Sequence, residues 1–384
     1  MNVVVIGAGL AGLGTAAELR RRGTPVVVLE RGDGVAAAWR GRYDGLHLHT
    51  IRRLSGLPGW PIPRGEGRWV SREGVIRYLE HYAAESGLQI HTGTTVTKLE
   101  RSNGGWRVVT ADGELSADAV VVATGTSNVA SMPDWPGRST FGGELIHSAE
   151  YRNAEPYRGR DVLVVGSGNS GAEIATNLAD GGAARVRLSV RTPPQIARRE
   201  RGGIPAQVLG LALGRLPVRV GDALGRALRK LTIPDLSEFG LPRPTAGPAS
   251  HFRATGHIPI LDVGIVAAVR ERRVEVVPGV DAFQPGGVVL TDGSVIHPDA
   301  VVAATGFGPG LEPLVGHLGI LGADGRPVVH NDQTDPRAPN LYFVGFRLFL
   351  GGTLWEAGRA GRKVARAISR SSARGLQAAV PQQP

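Results

Sequence analysis

The sequence predicts an α/β fold, because two short apolar runs each lead into a glycine-rich turn and then into a helical pattern. The run at 3–6 precedes Gly7, Gly9 and Gly12, and the run at 162–165 precedes Gly166, Gly168 and Gly171. In a strand–turn–helix unit, glycines at this GxGxxG spacing allow a tight turn, close approach of a pyrophosphate and close packing of helix on strand. Two such units predict two dinucleotide-binding, Rossmann-like domains.

The position of the two units along the chain predicts that one domain is inserted in the other. Residues 1–155 and 285–384 are expected to form the first, discontinuous domain, and residues 156–284 the second. A helical insertion is expected at about 201–250, packed on the second domain. A lid over the substrate or a contact with a membrane surface remains an alternative for it, because residues 218–231 are amphipathic and basic. A last helix is expected at 352–369, followed by a disordered tail from 371 to 384.

The residue that ends the second strand of each unit distinguishes the two nucleotides. Glu30 ends the first unit's strand, and a carboxylate there accepts hydrogen bonds from ribose hydroxyls but repels a 2′-phosphate. Arg191 ends the second unit's strand, and a guanidinium can bind a 2′-phosphate through charge-assisted hydrogen bonds. The first site therefore suits FAD or NAD, and the second suits NADPH.

Composition excludes several classes of function. The chain of 384 residues has a net charge of +10, but its arginines are spread along it and no nucleic-acid motif accompanies them, so nucleic acid is not expected as a partner. The absence of cysteine excludes a disulfide relay and a thiolate metal site. His47 and His49 have no third metal-ligating residue at a suitable spacing in the sequence, so no bound metal is expected. No apolar run is long enough to span a membrane and no signal peptide is evident, so we expect a cytoplasmic protein without a stable membrane anchor.

A third motif lies between the two nucleotide units. Phe141, Gly143, His147 and Tyr151 form a complete FxGxxxHxxxY. With this motif between two nucleotide folds, the chain resembles the class B flavin-dependent monooxygenases (flavin-containing monooxygenases). Within that family it is most similar to the YUCCA-type enzymes, on the sequences at 164–171, 256–264 and 46–49.

The resemblance implies an enzyme that uses FAD, NADPH and O2 and acts on a small organic substrate through a C4a-(hydro)peroxyflavin. The YUCCA-type likeness suggests oxidative decarboxylation of an aryl α-keto acid such as indole-3-pyruvate. Two alternatives remain open: N- or S-oxygenation of amines or sulfides, and an NADPH-dependent flavin reductase that passes electrons to an external acceptor. The sequence does not determine the oligomeric state.

The candidate site residues are those that would position the cofactors, and no catalytic residue is assigned. His147 is expected to couple domain position to NADPH binding and not to act as an acid or base. FAD is expected to be held by Gly7, Gly9, Gly12 and Glu30, with Trp39 and Arg40 close by. NADPH is expected to be held by Gly166, Gly168, Asn169, Ser170, Gly171 and Arg191. The points where strands meet the cofactors are expected at Thr124, Gly125, Thr305, Gly306 and Gly345.

Overall fold

The computed structural model describes residues 1–347 and 352–378, and the chain in it forms two compact units. Unit 1 contains residues 1–40, 50–129 and 307 onward, and unit 2 contains residues 41–49 and 130–306. The sequence-based boundaries gave the second domain residues 156–284 only. Unit 2 is larger because strands on both sides of that range pair into its sheet, and because a short segment from the N-terminal part of the chain folds onto it.

Short strands and helices alternate along the chain. The strands are β1 (Val3–Ile6), β2 (Val26–Leu29), β3 (Gln89–His91), β4 (Val96–Ser102), β5 (Gly105–Thr110), β6 (Gly113–Ala117), β7 (Ala119–Val122), β8 (Val129–Ala130), β9 (Glu144–His147), β10 (Asp161–Val165), β11 (Arg185–Ser189), β12 (Ile196–Arg198), β13 (Glu200–Arg201), β14 (Ile204–Pro205), β15 (Ile260–Asp262), β16 (Glu275–Val277), β17 (Val280–Gln284), β18 (Gly287–Leu290), β19 (Val295–Ile296), β20 (Ala300–Ala303), β21 (Phe307–Gly308) and β22 (Leu341–Phe343). The helices are α1 (Leu10–Arg21), α2 (Ala37–Arg40), α3 (Arg72–Glu85), α4 (Asn169–Asp180), α5 (Ala206–Leu213), α6 (Val218–Thr232), α7 (Pro248–Thr255), α8 (Ile265–Arg270), α9 (Glu312–Val315) and α10 (Thr353–Ala378).

Unit 1 is built on a parallel sheet in the order β22-β7-β1-β2-β3. Every residue of β1 and β7 is buried, as expected for central strands of a parallel sheet that is covered on both faces. Helix α1 connects β1 to β2. An antiparallel sheet of β4, β5 and β6 lies in the chain between β3 and β7.

Unit 2 repeats this plan with different residues. Its parallel sheet has the order β16-β11-β10-β20-β9, helix α4 connects β10 to β11, and the antiparallel sheet of β17, β18 and β19 lies between β16 and β20. The edge strand differs: β22 comes from the C-terminal part of the chain, whereas β9 precedes β10. The predicted α/β class with two dinucleotide-type sheets is confirmed.

The helical insertion of unit 2 contains α5, α6 and α7. Asp222 of α6 is buried and accepts hydrogen bonds from the backbone N–H groups of Ala249 (2.8 Å) and Ser250 (3.0 Å), so α6 holds the first turn of α7. The opposite face of α6 exposes Leu224 and Leu231. Within the described residues, no helix has both the length and the apolarity that a membrane span requires.

The last helix is longer than the sequence predicts. Helix α10 continues to Ala378, so the expected disorder from residue 371 is wrong as far as 378; residues 379–384 lie outside the described part of the chain. Alanine, arginine, leucine and glutamine dominate the added turns, and these residues favour helix.

Helix α10 packs closely on α1 in unit 1. A Cβ added at Gly361 would lie 2.9 Å from Thr15 Oγ1 and 3.1 Å from the Thr15 backbone nitrogen, so the two helices approach closely enough that a larger residue would force one of them to shift. Arg362, the next residue, pairs with the buried Glu18 of α1 at 3.3 Å. At Gly358, one turn earlier, the nearest atom to an added Cβ is a Pro58 carbon at 3.6 Å, which is an ordinary contact.

We therefore expect Gly361→Ala and Gly358→Ala to differ in stability although both replace a glycine in the same helix. Alanine gains about 1 kcal/mol of helix propensity at either position, but at Gly361 overpacking costs about 1–3 kcal/mol. Urea unfolding followed by circular dichroism measures the free energy of unfolding. For Gly358→Ala it should equal or exceed the wild-type value, and for Gly361→Ala it should be about 1–3 kcal/mol lower than for Gly358→Ala. Equal stability of the two variants would contradict the close approach of α1 and α10.

Candidate functional site

The turn between β1 and α1 has the backbone that its three glycines predict. Gly7 has φ +106°, and a Cβ there would lie 2.8 Å from the carbonyl oxygen of Ala123. A Cβ at Gly12 would lie 1.8 Å from the carbonyl oxygen of Gly7. Gly9 is different: its backbone is extended at φ −88°, and an added Cβ would meet nothing within 4 Å. The fold itself requires Gly7 and Gly12, whereas Gly9 leaves open space beside the N-terminus of α1.

The turn between β10 and α4 reproduces this geometry. Gly166 has φ +113° and a Cβ there would lie 2.5 Å from Ala304 O, and a Cβ at Gly171 would lie 1.9 Å from Gly166 O. An added Cβ at Gly168 would again meet nothing within 4 Å. Each unit thus presents a helix N-terminus with clear space in front of it, an arrangement that suits the phosphates of a dinucleotide.

Glu30 stabilises the first turn through hydrogen bonds to its backbone. Its carboxylate accepts hydrogen bonds from the N–H groups of Ala8 (2.7 Å) and Gly32 (2.9 Å), one on each oxygen. Since an ionised carboxylate offers about four acceptor positions, acceptor capacity remains for ribose hydroxyls. The half-buried position of Glu30 next to the turn fits the role predicted for it.

Three further predicted residues of unit 1 lie around the same turn. The added Cβ at Gly7 would be 3.4 Å from Thr124 Cα, and the added Cβ at Gly345 would be 3.0 Å from Ala11 Cβ, at the first turn of α1. The Thr124 hydroxyl is buried and has no hydrogen-bond partner among the described residues. Gly125, with φ +82°, also has open space where a side chain would be. A buried hydroxyl left unpaired costs free energy, so this position fits a polar group of a bound ligand.

Trp39 and Arg40 lie in α2, which begins beside the turn because the Ala36 N–H donates to Ala8 O at 3.2 Å. The Arg40 guanidinium pairs with Glu80 of α3. Trp39 is half-buried. The structure thus brings α2 to the glycine turn, while the Arg40 side chain is engaged on α3.

Around the second turn, Arg191 and Asn169 differ in whether their side chains already hydrogen-bond to the protein. Arg191 follows β11 by two residues and is exposed, with no hydrogen bond or ion pair to its side chain within the described residues. The side-chain amide of Asn169 instead accepts from Leu261 N at 2.8 Å and donates to Pro259 O at 3.4 Å. Asn169 therefore fixes the chain at β15, whereas the Arg191 guanidinium is exposed to solvent.

The FxGxxxHxxxY motif forms the edge of the second sheet. The Phe141 ring packs edge-on against Phe283 at 5.3 Å, and a Cβ at Gly143 would lie 2.6 Å from the Phe141 ring. Tyr151 is fully buried, and its hydroxyl donates to Asn177 Oδ1 of α4 at 2.5 Å. These residues hold β9 and the segment after it in place.

His147, at the end of β9, is buried and bonded through both ring nitrogens. Nδ1 accepts the Ala149 N–H at 3.1 Å, so Nε2 carries the hydrogen and donates to Gly306 O at 3.0 Å. Burial lowers the pKa of His147, which favours this neutral form. Gly306 O also accepts from Ser131 N at 3.0 Å, and Thr305 Oγ1 donates to Ser131 O at 2.6 Å. The imidazole thus joins β9 to the turn after β20, which supports a positioning role.

A polar cluster on α4 was missed by sequence reasoning. Glu173 accepts a hydrogen bond from the Tyr43 hydroxyl at 3.0 Å, and Glu173 Oε1 lies 2.6 Å from His49 Nε2. Ser170, on the same face of α4, also hydrogen-bonds Tyr43; burial and the neighbouring Glu173 raise the pKa of that tyrosine. The signal was available: Ser170, Glu173 and Asn177 are polar at the spacing of one helix face. Among the described residues, no group of three or more His, Cys, Asp and Glu is arranged to hold a metal.

Comparison with known proteins agrees with this geometry. A family model described as pyridine nucleotide-disulphide oxidoreductase matches residues 4–202. The chain is 38% identical to the indole-3-pyruvate monooxygenase YUCCA1 of Oryza sativa subsp. japonica, over 80% of this chain and 76% of that relative. A solved flavin-containing monooxygenase from Stenotrophomonas maltophilia is 28% identical, with 97% of this chain and 98% of that one covered and a TM-score of 0.73. OTEMO, solved in complex with FAD and NADP, shares the fold at 19% identity and a TM-score of 0.73, over 98% of this chain and 85% of that one.

The matched range begins at β1 and extends past α4, so it includes both glycine turns and the motif between them. Disulphide chemistry within the protein is excluded because the chain has no cysteine. With identity above 30% over most of both chains, the relationship to the monooxygenases is one of family and not of fold alone. The chain therefore belongs to the flavin-containing monooxygenase family and is a flavin-dependent monooxygenase.

Proposed function

We propose that this monooxygenase binds FAD at the β1–α1 turn and NADPH at the β10–α4 turn, and that it decarboxylates an aryl α-keto acid oxidatively, with indole-3-pyruvate as the leading substrate. The observation that carries the substrate is the 38% identity over 311 residues to a relative named as an indole-3-pyruvate monooxygenase. The assignment of the two nucleotides rests on Glu30 and Arg191.

The residues present fit the two nucleotides. The space in front of Gly9 and Gly168 is where a Cβ would obstruct a pyrophosphate, and the unpaired Thr124 hydroxyl offers a hydrogen bond beside the first turn. Glu30 would accept from a ribose, and the exposed Arg191 would bind the 2′-phosphate of NADPH. The chemistry that bound FAD supplies is acceptance of a hydride from NADPH and activation of O2.

The chain's own contribution in this proposal is binding, orientation and steering. His147 holds the turn at Gly306 against β9, and Tyr151 holds the following segment on α4. A net charge of +10 favours encounter with anions, which include both NADPH and an α-keto acid. No side chain is required to act as a nucleophile in this scheme.

The first prediction concerns FAD. Wild-type protein should be yellow, with one non-covalent FAD per chain. Gly9→Ala should fold normally, because its Cβ meets no protein atom, yet should weaken FAD binding about tenfold or more, since the methyl group would occupy the ligand's space. Flavin absorbance after gel filtration and titration of the apoprotein with FAD measure this.

Gly12→Ala is the matched control for that variant. Its Cβ would lie 1.8 Å from Gly7 O, so we expect loss of folded protein and not a selective loss of flavin. If Gly9→Ala retained wild-type FAD affinity, the β1–α1 turn would not be the FAD pyrophosphate site.

The second prediction concerns NADPH. Arg191→Ala should raise the KM for NADPH about 10- to 150-fold, the range expected when a charge-assisted hydrogen bond is lost. The KM for NADH, which has no 2′-phosphate, should change little. Arg22→Ala removes an exposed arginine from unit 1 and should leave both constants unaltered. Equal efficiency of NADH and NADPH in the wild type would refute the assignment of Arg191.

The third prediction concerns the substrate. With indole-3-pyruvate or phenylpyruvate, the enzyme should release one CO2 for each NADPH consumed in coupled turnover. A tertiary amine and a thioether test the competing N- and S-oxygenation, which gives an oxide and no CO2. Product should be scored by mass spectrometry, because NADPH consumption alone does not distinguish them. Oxidation of the amine or thioether only would overturn the decarboxylase proposal and leave the monooxygenase assignment intact.

A further inference from the structure

A small cavity lies in unit 2, between α6, the segment at 233–244 and the start of β12. Residues 233–244 fold back on themselves, with Leu236 and Leu241 paired as an antiparallel bridge. The walls are apolar, and they include the buried Ile233 and the prolines Pro234 and Pro242. The free volume is about 20 Å³, room for a group of roughly the size of one water molecule.

Two arginines line this apolar cavity. Arg229 comes from α6, and its guanidinium donates to Gln195 Oε1 at 2.7 Å and to Pro244 O at 3.0 Å. Arg243 comes from the folded-back segment and donates to Ile233 O at 3.3 Å. All three acceptors are neutral, so these hydrogen bonds orient the guanidinium groups without balancing their charge.

The positive charge at the cavity is poorly compensated. The Nε atoms of Arg229 and Arg243 are both buried and have no hydrogen-bond partner. Asp235 is the carboxylate paired with Arg243, and it stands 3.6 Å away, is 56% exposed and also accepts from Ser237. Burial lowers the pKa of Arg229, and repulsion from Arg243 and Arg226 lowers it further.

Arg229 and Arg243 are only partly buried, but each has a buried Nε–H without a partner beside an apolar wall, and an anion that accepted from these groups would lower the cost of burying them. We propose that this cavity is a binding site for the carboxylate group of a small organic acid, with Arg229 and Arg243 as its ligands. A guanidinium matches a carboxylate in planarity and in the spacing of its donors. The free volume would take one carboxylate oxygen, and the rest of the molecule would lie at the opening, beside Pro234 and the exposed Pro242. The proposal does not require this acid to be the substrate that the monooxygenase oxidises.

The experiment measures thermal unfolding and calorimetric binding of the holoenzyme with sodium propionate, against sodium chloride at equal ionic strength. Propionate should raise the Tm saturably above the chloride control. Arg229→Gln and Arg243→Gln should each raise the Kd for propionate at least about tenfold, because each removes a charge-assisted contact. Arg215→Gln is the matched control: it removes an exposed arginine of the same insertion outside the cavity and should retain the wild-type Kd.

Inorganic phosphate has no aliphatic part to contact the prolines and should bind more weakly than propionate at equal ionic strength. The proposal is overturned if propionate gives no saturable shift over chloride, which would indicate that water fills the cavity. It is equally overturned if binding persists in both Arg229→Gln and Arg243→Gln. These readouts do not involve NADPH or O2, so they do not depend on the outcome of the substrate assays.

Discussion

Both nucleotide folds depend on a contact in which only a hydrogen atom fits. The third glycine of each turn places its Cα so close to the first glycine's carbonyl oxygen that a Cβ would lie 1.8 Å away in one unit and 1.9 Å in the other. This proximity sets the helix directly behind its strand and aims the helix N-terminus past the end of the sheet. The open space at Gly9 and Gly168 exists because the neighbouring glycines permit this approach. The clear space in front of each helix N-terminus is thus a consequence of helix–strand packing in each unit.

The FxGxxxHxxxY motif is explained by its position in a sheet. Strand β9 is the edge of the second sheet, and His147, at its end, donates to the carbonyl of Gly306 beyond the neighbouring strand. A buried, neutral imidazole with both nitrogens engaged is suited to transmit position and unsuited to exchange protons with substrate. Contacts within unit 2 give both His147 and Tyr151 a structural role.

Local signals made most of the fold and part of the site predictable. Within each unit, the apolar strand, the glycine turn and the charged residue that ends the second strand (Glu30 or Arg191) lie within about thirty residues, the length of a βαβ unit. The domain boundaries were less accurate because β9 and β20 pair over a long sequence separation. For the same reason Glu173 was missed: its partners Tyr43 and His49 lie more than a hundred residues earlier. The role of Asn169 also depends on a distant segment, since its amide is engaged by the backbone at 259–261.

The division of the chain has a consequence for synthesis and dissection of the protein. Neither unit is contiguous: unit 2 takes residues 41–49 from the middle of the first nucleotide fold, and unit 1 takes its edge strand β22 and the long helix α10 from the far end. A ribosome therefore completes the sheet of unit 2 before it releases the last strand of unit 1. A fragment containing residues 130–306 alone would leave Glu173 without its partners Tyr43 and His49 and would expose the face of α4 that the segment at 41–49 contacts. Because residues 41–49 belong to unit 2 but are flanked by segments of unit 1, no contiguous fragment of the chain contains one complete unit without part of the other.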